Sequence, residues 1–200
     1  MRELDELVRS LLAIGETGAA ATLALRELGP EILGFLSGVL GEADADEVFA
    51  GLSERLWRSL QGFEGRCSLR TWIYVLARHE LGRFRKDMRR YAEGRVPISE
   101  LEEVLAVVRT RSRSTLVRAK RGRLTALRDE LPVEDRTLLI LRVDRNLPWD
   151  EIALAFADTP EAFSEEDKKR EAARLRKRFQ LVKERLVARV QARDASAGQD

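Results

Sequence analysis

The residues best equipped for chemistry in this chain are cations and rings set at helical spacing. Thr71, Tyr74, Arg78 and Arg85 recur on one side of a segment whose other side carries Ile73, Leu76, Ala77, Leu81 and Phe84. Arg66, Ser68, Arg70 and His79 lie close by in sequence, next to a loop with Gly62 and Gly65. A single nucleic-acid strand needs such a surface, because bases stack on rings while guanidiniums meet phosphates. A second cationic set lies further on: Lys169, Arg170, Arg174, Arg176, Lys177 and Arg178. Early in a helix, such residues can bridge phosphates or pair with guanine edges.

Catalytic chemistry is poorly served. Cys67 and His79 are the only residues of their types, one in a loop and the other about three helical turns further on. That spacing separates a nucleophile from its base, and no third group is placed to orient them. A single cysteine allows no internal disulfide and no thiolate zinc cage, and no Gly-rich phosphate loop occurs. No enzymatic activity, bound metal or cofactor is therefore expected.

The formal net charge is only +2, but its distribution is uneven. Residues 1–62 carry 5 Lys/Arg and 11 Asp/Glu, a net of −6, whereas residues 66–90 carry 8 and 2, a net of +6. Residues 109–128 hold 8 cations and no acid, and residues 168–189 hold 10 cations and 2 acids. Basic blocks behind an acidic front suit a polyanion met at several places together with a separate protein partner. No stretch approaches a membrane span and the first residues lack a signal-peptide pattern, so no membrane insertion and a reducing cytoplasm are expected.

Two hundred residues, 44% hydrophobic, 35% charged and 6% aromatic, suit one or two domains of charged amphipathic helices. The periodicity predicts an all-α chain. Leu4, Leu7, Val8, Leu11 and Leu12 mark a first helix, and Ala19–Leu28 a second, which Gly29-Pro30 should end. A third helix covers Glu31–Leu40. After Gly41, the acids Glu42, Asp44, Asp46 and Glu47 open a longer helix with Ala45, Val48, Phe49, Leu52, Leu56 and Leu60 inward. Trp57 lies on another face of it. Ser68 should cap a helix from Leu69 to about Arg90. Residues 91–122 change character: Pro97, a short acidic piece Ile98–Val108 with helical tendency, then TRSRSTLVRAKRGR, a linker whose arginines suit a solvated face or a DNA backbone. Leu124, Leu127 and Leu131 lead to Pro132, a helix from Val133 to Arg145, a turn at Asn146-Leu147, a short helix Trp149–Phe156, and a loop with Pro160. The last helix, Glu171–Ala192, should bury Leu175, Phe179, Val182 and Leu186. The tail DASAGQD should be disordered.

Two strings are more specific than periodicity. Phe63-Glu64-Gly65-Arg66-Cys67-Ser68-Leu69-Arg70-Thr71-Trp72-Ile73-Tyr74-Val75-Leu76-Ala77-Arg78-His79 resembles the second conserved region of bacterial sigma factors of the extracytoplasmic-function (ECF) type. Leu131-Pro132, Leu138-Leu139-Ile140-Leu141 and Trp149-Asp150-Glu151-Ile152-Ala153 resemble their fourth region. Glu6-Leu7-Val8-Arg9, Leu11-Leu12 and Gly15-Glu16 are similar to the family's first helix, so the resemblance spans nearly the whole chain in the family's order. It implies a region 2-like domain at 1–92, a linker at 93–122, a region 4-like helix-turn-helix domain at 123–192 and a disordered tail at 193–200.

The implied function is transcription initiation, with RNA polymerase core enzyme and promoter DNA as partners and room for an anti-sigma factor. Asp46, Glu47, Ala50, Glu54, Arg55 and Trp57 would bind core polymerase. Arg66, Ser68, Arg70, Thr71, Tyr74, Arg78, His79 and Arg85 would melt and read the minus-ten element. Lys169, Arg170, Arg174, Arg176, Lys177 and Arg178 would read the minus-thirty-five element. Three departures stand out. Glu47-Val48-Phe49-Ala50-Gly51 replaces the usual D-L-x-Q-E, an acidic insert Asp158–Asp167 stretches the helix-turn-helix, and His79 replaces an Asn. The lost Gln-Glu pair leaves a second reading, a DNA-binding regulator or adaptor that does not itself initiate transcription.

Overall fold

A computed structural model describes residues 2–86, 103–110, 123–157 and 163–197, the last five and residues 123–125 as backbone only. Among the described residues all regular structure is helical. Helix α1 is Arg2–Ala13, α2 Thr17–Leu40, α3 Glu42–Ser59 and α4 Leu69–Lys86, with a 3₁₀ turn Leu60–Gly62 ahead of α4. Helix α5 covers 103–110, α6 Arg123–Asp129, α7 Val133–Leu139, α8 Trp149–Phe156 and α9 Glu165–Ala197. No described helix is long and apolar enough to cross a membrane, and no described cluster of His, Cys, Asp or Glu could hold a metal ion.

The expected break at Gly29-Pro30 does not occur, and α2 continues through Pro30. A proline inside a helix costs about 3 kcal/mol. Here Leu25, Leu28, Ile32, Leu33, Phe35 and Leu36 are all buried on either side of it. Each contributes about 1.5–3 kcal/mol on burial, so packing outweighs the local penalty. Gly41, at φ +93°, turns the chain into α3. The inward stripe expected for α3, Ala45 through Leu60, is buried throughout.

Ser68 caps α4 as expected, its Oγ accepting from the Thr71 amide at 3.1 Å. Helix α5 falls inside the segment read as linker and docks onto α2 and α3 through buried Val104, Leu105 and Val108. Close approach is possible because Gly29 lacks a side chain: a Cβ there would lie 2.9 Å from Val108 and 3.3 Å from Phe49. The arginine run after Arg109, Pro97, Arg90 and residues 158–162 of the acidic insert lie outside the described residues.

Beyond α6, Pro132 precedes α7, whose end widens into a π turn at Ile140–Asp144. Asn146, at φ +57°, closes that turn, and Pro148 starts α8. Helix α9 begins at Glu165, six residues before the expected Glu171, because Ser164 supplies a cap that composition alone did not reveal. The Ser164 Oγ accepts the Asp167 amide at 3.1 Å and the Ser164 amide donates back to Asp167 Oδ2 at 3.3 Å, a reciprocal capping box in which the Ser164 hydroxyl also donates to that oxygen at 2.6 Å. The expected disordered tail is corrected only as far as Ala197, to which α9 runs, and its last three residues lie outside the described residues. Ala188, Ala192, Ala195 and Ala197 near its end have the highest helix propensity and extend an already nucleated helix.

One hydrophobic core runs from Val8 to Leu175, taking in Phe35, Phe49 and Tyr74 from the N-terminal helices and Leu138, Ile140, Leu147 and Ile152 from the C-terminal ones. The segments expected as two domains are thus packed against each other. A small second cluster, Leu131, Leu139 and Val182, ties α7 to α9.

Candidate nucleic-acid interface

The expected strand-binding face of α4 is assembled but covered. Ile73, Leu76, Ala77, Leu81 and Phe84 are buried against the N-terminal helices, as their spacing required. Thr71 and Tyr74, expected on the open side, are also buried, at 0% and 1% exposure, because α8 packs on α4 over Thr71 and α2 packs on Tyr74. Tyr74 packs edge-on against Phe35 with ring centroids 5.3 Å apart, and its hydroxyl donates to Glu31 Oε1 at 2.6 Å. Burial, reinforced by the Glu31 charge, pushes its phenol far above the ordinary tyrosine range.

Arg70 donates to the same Glu31 oxygen through Nε (2.9 Å) and Nη2 (2.6 Å), and Nη2 also reaches the Arg145 carbonyl at 2.6 Å. Burial works against its charge, yet the bonds to Glu31 outweigh that and hold the guanidinium above its usual value. The Thr71 hydroxyl donates to Glu151 Oε2 at 2.7 Å while accepting from Ser68. Arg78 donates to Glu134 at 3.0 Å and to the Phe156 carbonyl at 3.2 Å, with its guanidinium 4.2 Å from the Phe156 ring centroid. His79 Nε2 lies 3.3 Å from the Ala157 carbonyl.

Arg66 and Arg85 are exposed at the two ends of this face, Arg66 paired with Glu64 at 2.9 Å. Beside Arg66, a cavity of about 120 Å³ opens between the Gly62–Cys67 loop with Trp72 and Leu154, Phe163 and Lys168. Cys67 lines it, half-buried and in no disulfide. Burial and the nearby Glu151 charge raise its thiol pKa, the opposite of what an activated nucleophile requires.

Helix α9 presents its own cations differently from one another. Lys169, Arg170, Arg174 and Lys177 are exposed, Arg170 lying 3.7 Å from Asp167 and Arg174 making two bonds to Glu171. The bond to Glu171 holds the Arg174 guanidinium above its usual value despite some burial. Arg176 approaches the Trp149 ring at 5.8 Å, and Trp149 packs edge-on against Phe179. Arg178, expected on the exposed face, instead turns back to Asp135, donating through Nε at 2.6 Å. The Asp135 side chain is only 6% exposed, so Arg178 is drawn in by a buried carboxylate.

The residues expected to meet a protein partner lie along α3. Asp46 is 3.6 Å from Arg109 of α5, and Arg55 is 3.8 Å from the buried Glu80. Glu47, Ala50 and Glu54 are half-buried. Trp57 is half-buried as well, its ring packed over Gly18.

Glu31, Glu134, Asp135 and Glu151 were not expected as partners of these cations, Glu151 having been singled out only within the Trp149–Ala153 string. Glu134, Asp135 and Glu151 lie in the first turns of α7 and α8, where an acid is also favourable to the helix dipole. Their surplus over what capping needs, opposite a chain segment of net +6, was the signal that they had cationic partners. No protein-family model, curated protein or solved structure matches this chain.

Proposed function

We propose that this protein is a transcription initiation factor of the ECF sigma type, acting in the cytoplasm to bring RNA polymerase core to promoter DNA. The observation that carries the proposal is the pair of motifs in family order, each on the element the resemblance implies. Residues 63–79 occupy a loop and the first turns of α4, and residues 131–153 occupy α7, its turn and α8. Further support comes from α8 and α9, a short helix followed by a long one with exposed Lys169, Arg170, Arg174 and Lys177 near its start. That is the outline of a helix-turn-helix reading a duplex. In this reading 1–92 form the region 2-like part and 123–192 the region 4-like part. Residues along α3, with Asp46, Glu54, Arg55 and Trp57 foremost, meet the polymerase.

The test is transcription in vitro. Purified chain added to core polymerase should yield transcripts starting at defined positions on a library of promoter fragments, and neither component alone should. Charge reversal at Asp46 and Glu54 should weaken capture of core. Absence of specific transcripts at saturating protein would sink the proposal. A second reading, a DNA-binding regulator that does not initiate, is favoured by Glu47-Val48-Phe49-Ala50-Gly51 on α3 and by the Arg109–Asp46 contact. It requires duplex binding without transcripts in the same assay.

A further inference from the structure

Going beyond the sigma-factor reading, we propose that the cavity beside Cys67 is a binding site for a small aromatic carboxylate, its ring set among Phe63, Trp72 and Leu154 and its charge met by Lys168. The walls come from segments far apart in sequence. Phe63 and Trp72 flank the loop that leads into α4, their ring centroids 5.3 Å apart, while Leu154 of α8 and Phe163 ahead of α9 line the space from the C-terminal part. Apolar walls with a few placed polar groups are the ordinary composition of a small-ligand site. The space is about 120 Å³. A dry apolar cavity on the order of 150 Å³ takes up benzene, so one six-membered ring is the size that fits here. A packing void would be sealed, whereas this cavity opens beside Gly62, where an added Cβ would meet nothing within 4 Å.

Charge decides what the ring carries. The ionic residues on the wall are two cations, Arg66 and Lys168, against one acid, Glu64. Arg66 and Glu64 pair with each other at 2.9 Å, and both are mostly exposed, so they stay at the rim. The Lys168 side chain is only 19% exposed, yet its partner Glu165 is 80% exposed. A pair with so exposed a member is weak, and Lys168 can exchange it for a carboxylate held against the cavity wall. Two further acids, Glu151 and Asp5, act on the Cys67 thiol through space but do not line the cavity. Glu151 accepts from the Thr71 hydroxyl at 2.7 Å and Asp5 from the Leu69 amide at 3.2 Å. An anion is therefore favoured over a cation of the same size.

The test follows alkylation of Cys67, the sole cysteine, by uncharged iodoacetamide in the full chain, because a ring in the cavity covers the thiol that lines it. The probes are benzoate, benzylamine, which reverses the charge, and acetate, which lacks the ring, all at equal ionic strength. Benzoate at about nine times its Kd leaves about one site in ten vacant and should slow alkylation about ten-fold. Benzylamine and acetate at the same concentration should leave the rate at its value in salt alone. Lys168→Gln should abolish protection by benzoate. So should Val75→Phe, since Val75 lines the cavity and a phenyl group there takes the ring's place. Lys183→Gln, the same charge change at an exposed position of α9, should keep the protection. No slowing by benzoate overturns the proposal, as does equal slowing by acetate or benzylamine. Full protection retained in Lys168→Gln or Val75→Phe overturns it as well. The probe series on wild type decides even where a cavity variant fails to fold. None of these readouts involves transcription, so their failure leaves the sigma-factor reading standing.

Discussion

Arg178 and Arg174 sit a helical turn apart on α9, yet they should fail in opposite ways when truncated. Arg178→Ala removes the 2.6 Å partner of Asp135, whose side chain is 6% exposed. Stripping one member from a buried ion pair costs about 3–5 kcal/mol, because a desolvated charge is left behind. Two features of the site reduce that figure. The Arg178 side chain is itself 32% exposed, and Arg185 stays 3.6 Å from the other Asp135 oxygen. About 2 kcal/mol remains, which for a chain of this size lowers the melting temperature by about 4–8 °C. Arg174, with a side chain 59% exposed, is paired with Glu171 one turn earlier. Its loss should cost a few tenths of a kcal/mol in stability. The order should invert for DNA. Arg174→Ala and Lys177→Ala should weaken duplex binding and lower the salt slope by about one unit for each phosphate no longer neutralised. Arg178→Ala, measured well below its melting temperature, should leave that slope unchanged. Thermal melts and duplex titrations at two salt concentrations provide both readouts. An Arg178→Ala protein that melts within about 1 °C of wild type and loses DNA like Lys177→Ala would refute the structural role given to that arginine.

Further expectations follow from the same geometry. Tyr74→Phe removes the bond to Glu31 and should cost about 1 kcal/mol in urea unfolding, whereas Glu31→Ala, which strands both Tyr74 and Arg70, should cost about 2–3 kcal/mol. The Cys67 thiol, raised by burial, should alkylate more slowly in the folded chain than in urea at neutral pH. Its linked stabilisation is present below the unfolded thiol pKa and is lost as pH rises through the higher folded value, so unfolding free energy measured from about pH 8 upward should decline, and Cys67→Ser should flatten that decline. Gly29→Ala, ordinarily a gain of about 1 kcal/mol in a helix, should instead be neutral or destabilising because its Cβ meets Val108 at 2.9 Å. Hydrogen exchange across 103–110 should quicken in that variant.

Local pattern carried most of the secondary structure. The apolar stripes of α3 and α4, the Ser68 cap, the Asn146 turn and the Pro148 start are written in spacings of three and four and in residues with narrow backbone preferences. Those preferences act over a few residues, so the sequence states them directly. Where a local rule competed with burial, burial prevailed: Pro30 should have ended α2, but six large apolar neighbours hold the helix through it. The candidate site divided along the same line. Arg70, Thr71, Tyr74, Arg78 and His79 are brought to one side of α4 by periodicity alone, whereas their partners come from residues between 39 and 80 positions away. Periodicity says which side chains share a face but not what lies opposite, because the opposing surface belongs to another part of the chain. The sequence therefore identified a polar, cationic face, and only the packing of α2, α7 and α8 around α4 decided that Tyr74 is buried and that carboxylates and carbonyls occupy its arginines. Arg178 shows the same physics on one residue: helical spacing placed it beside Lys177, and the burial of Asp135 on another helix turned it inward.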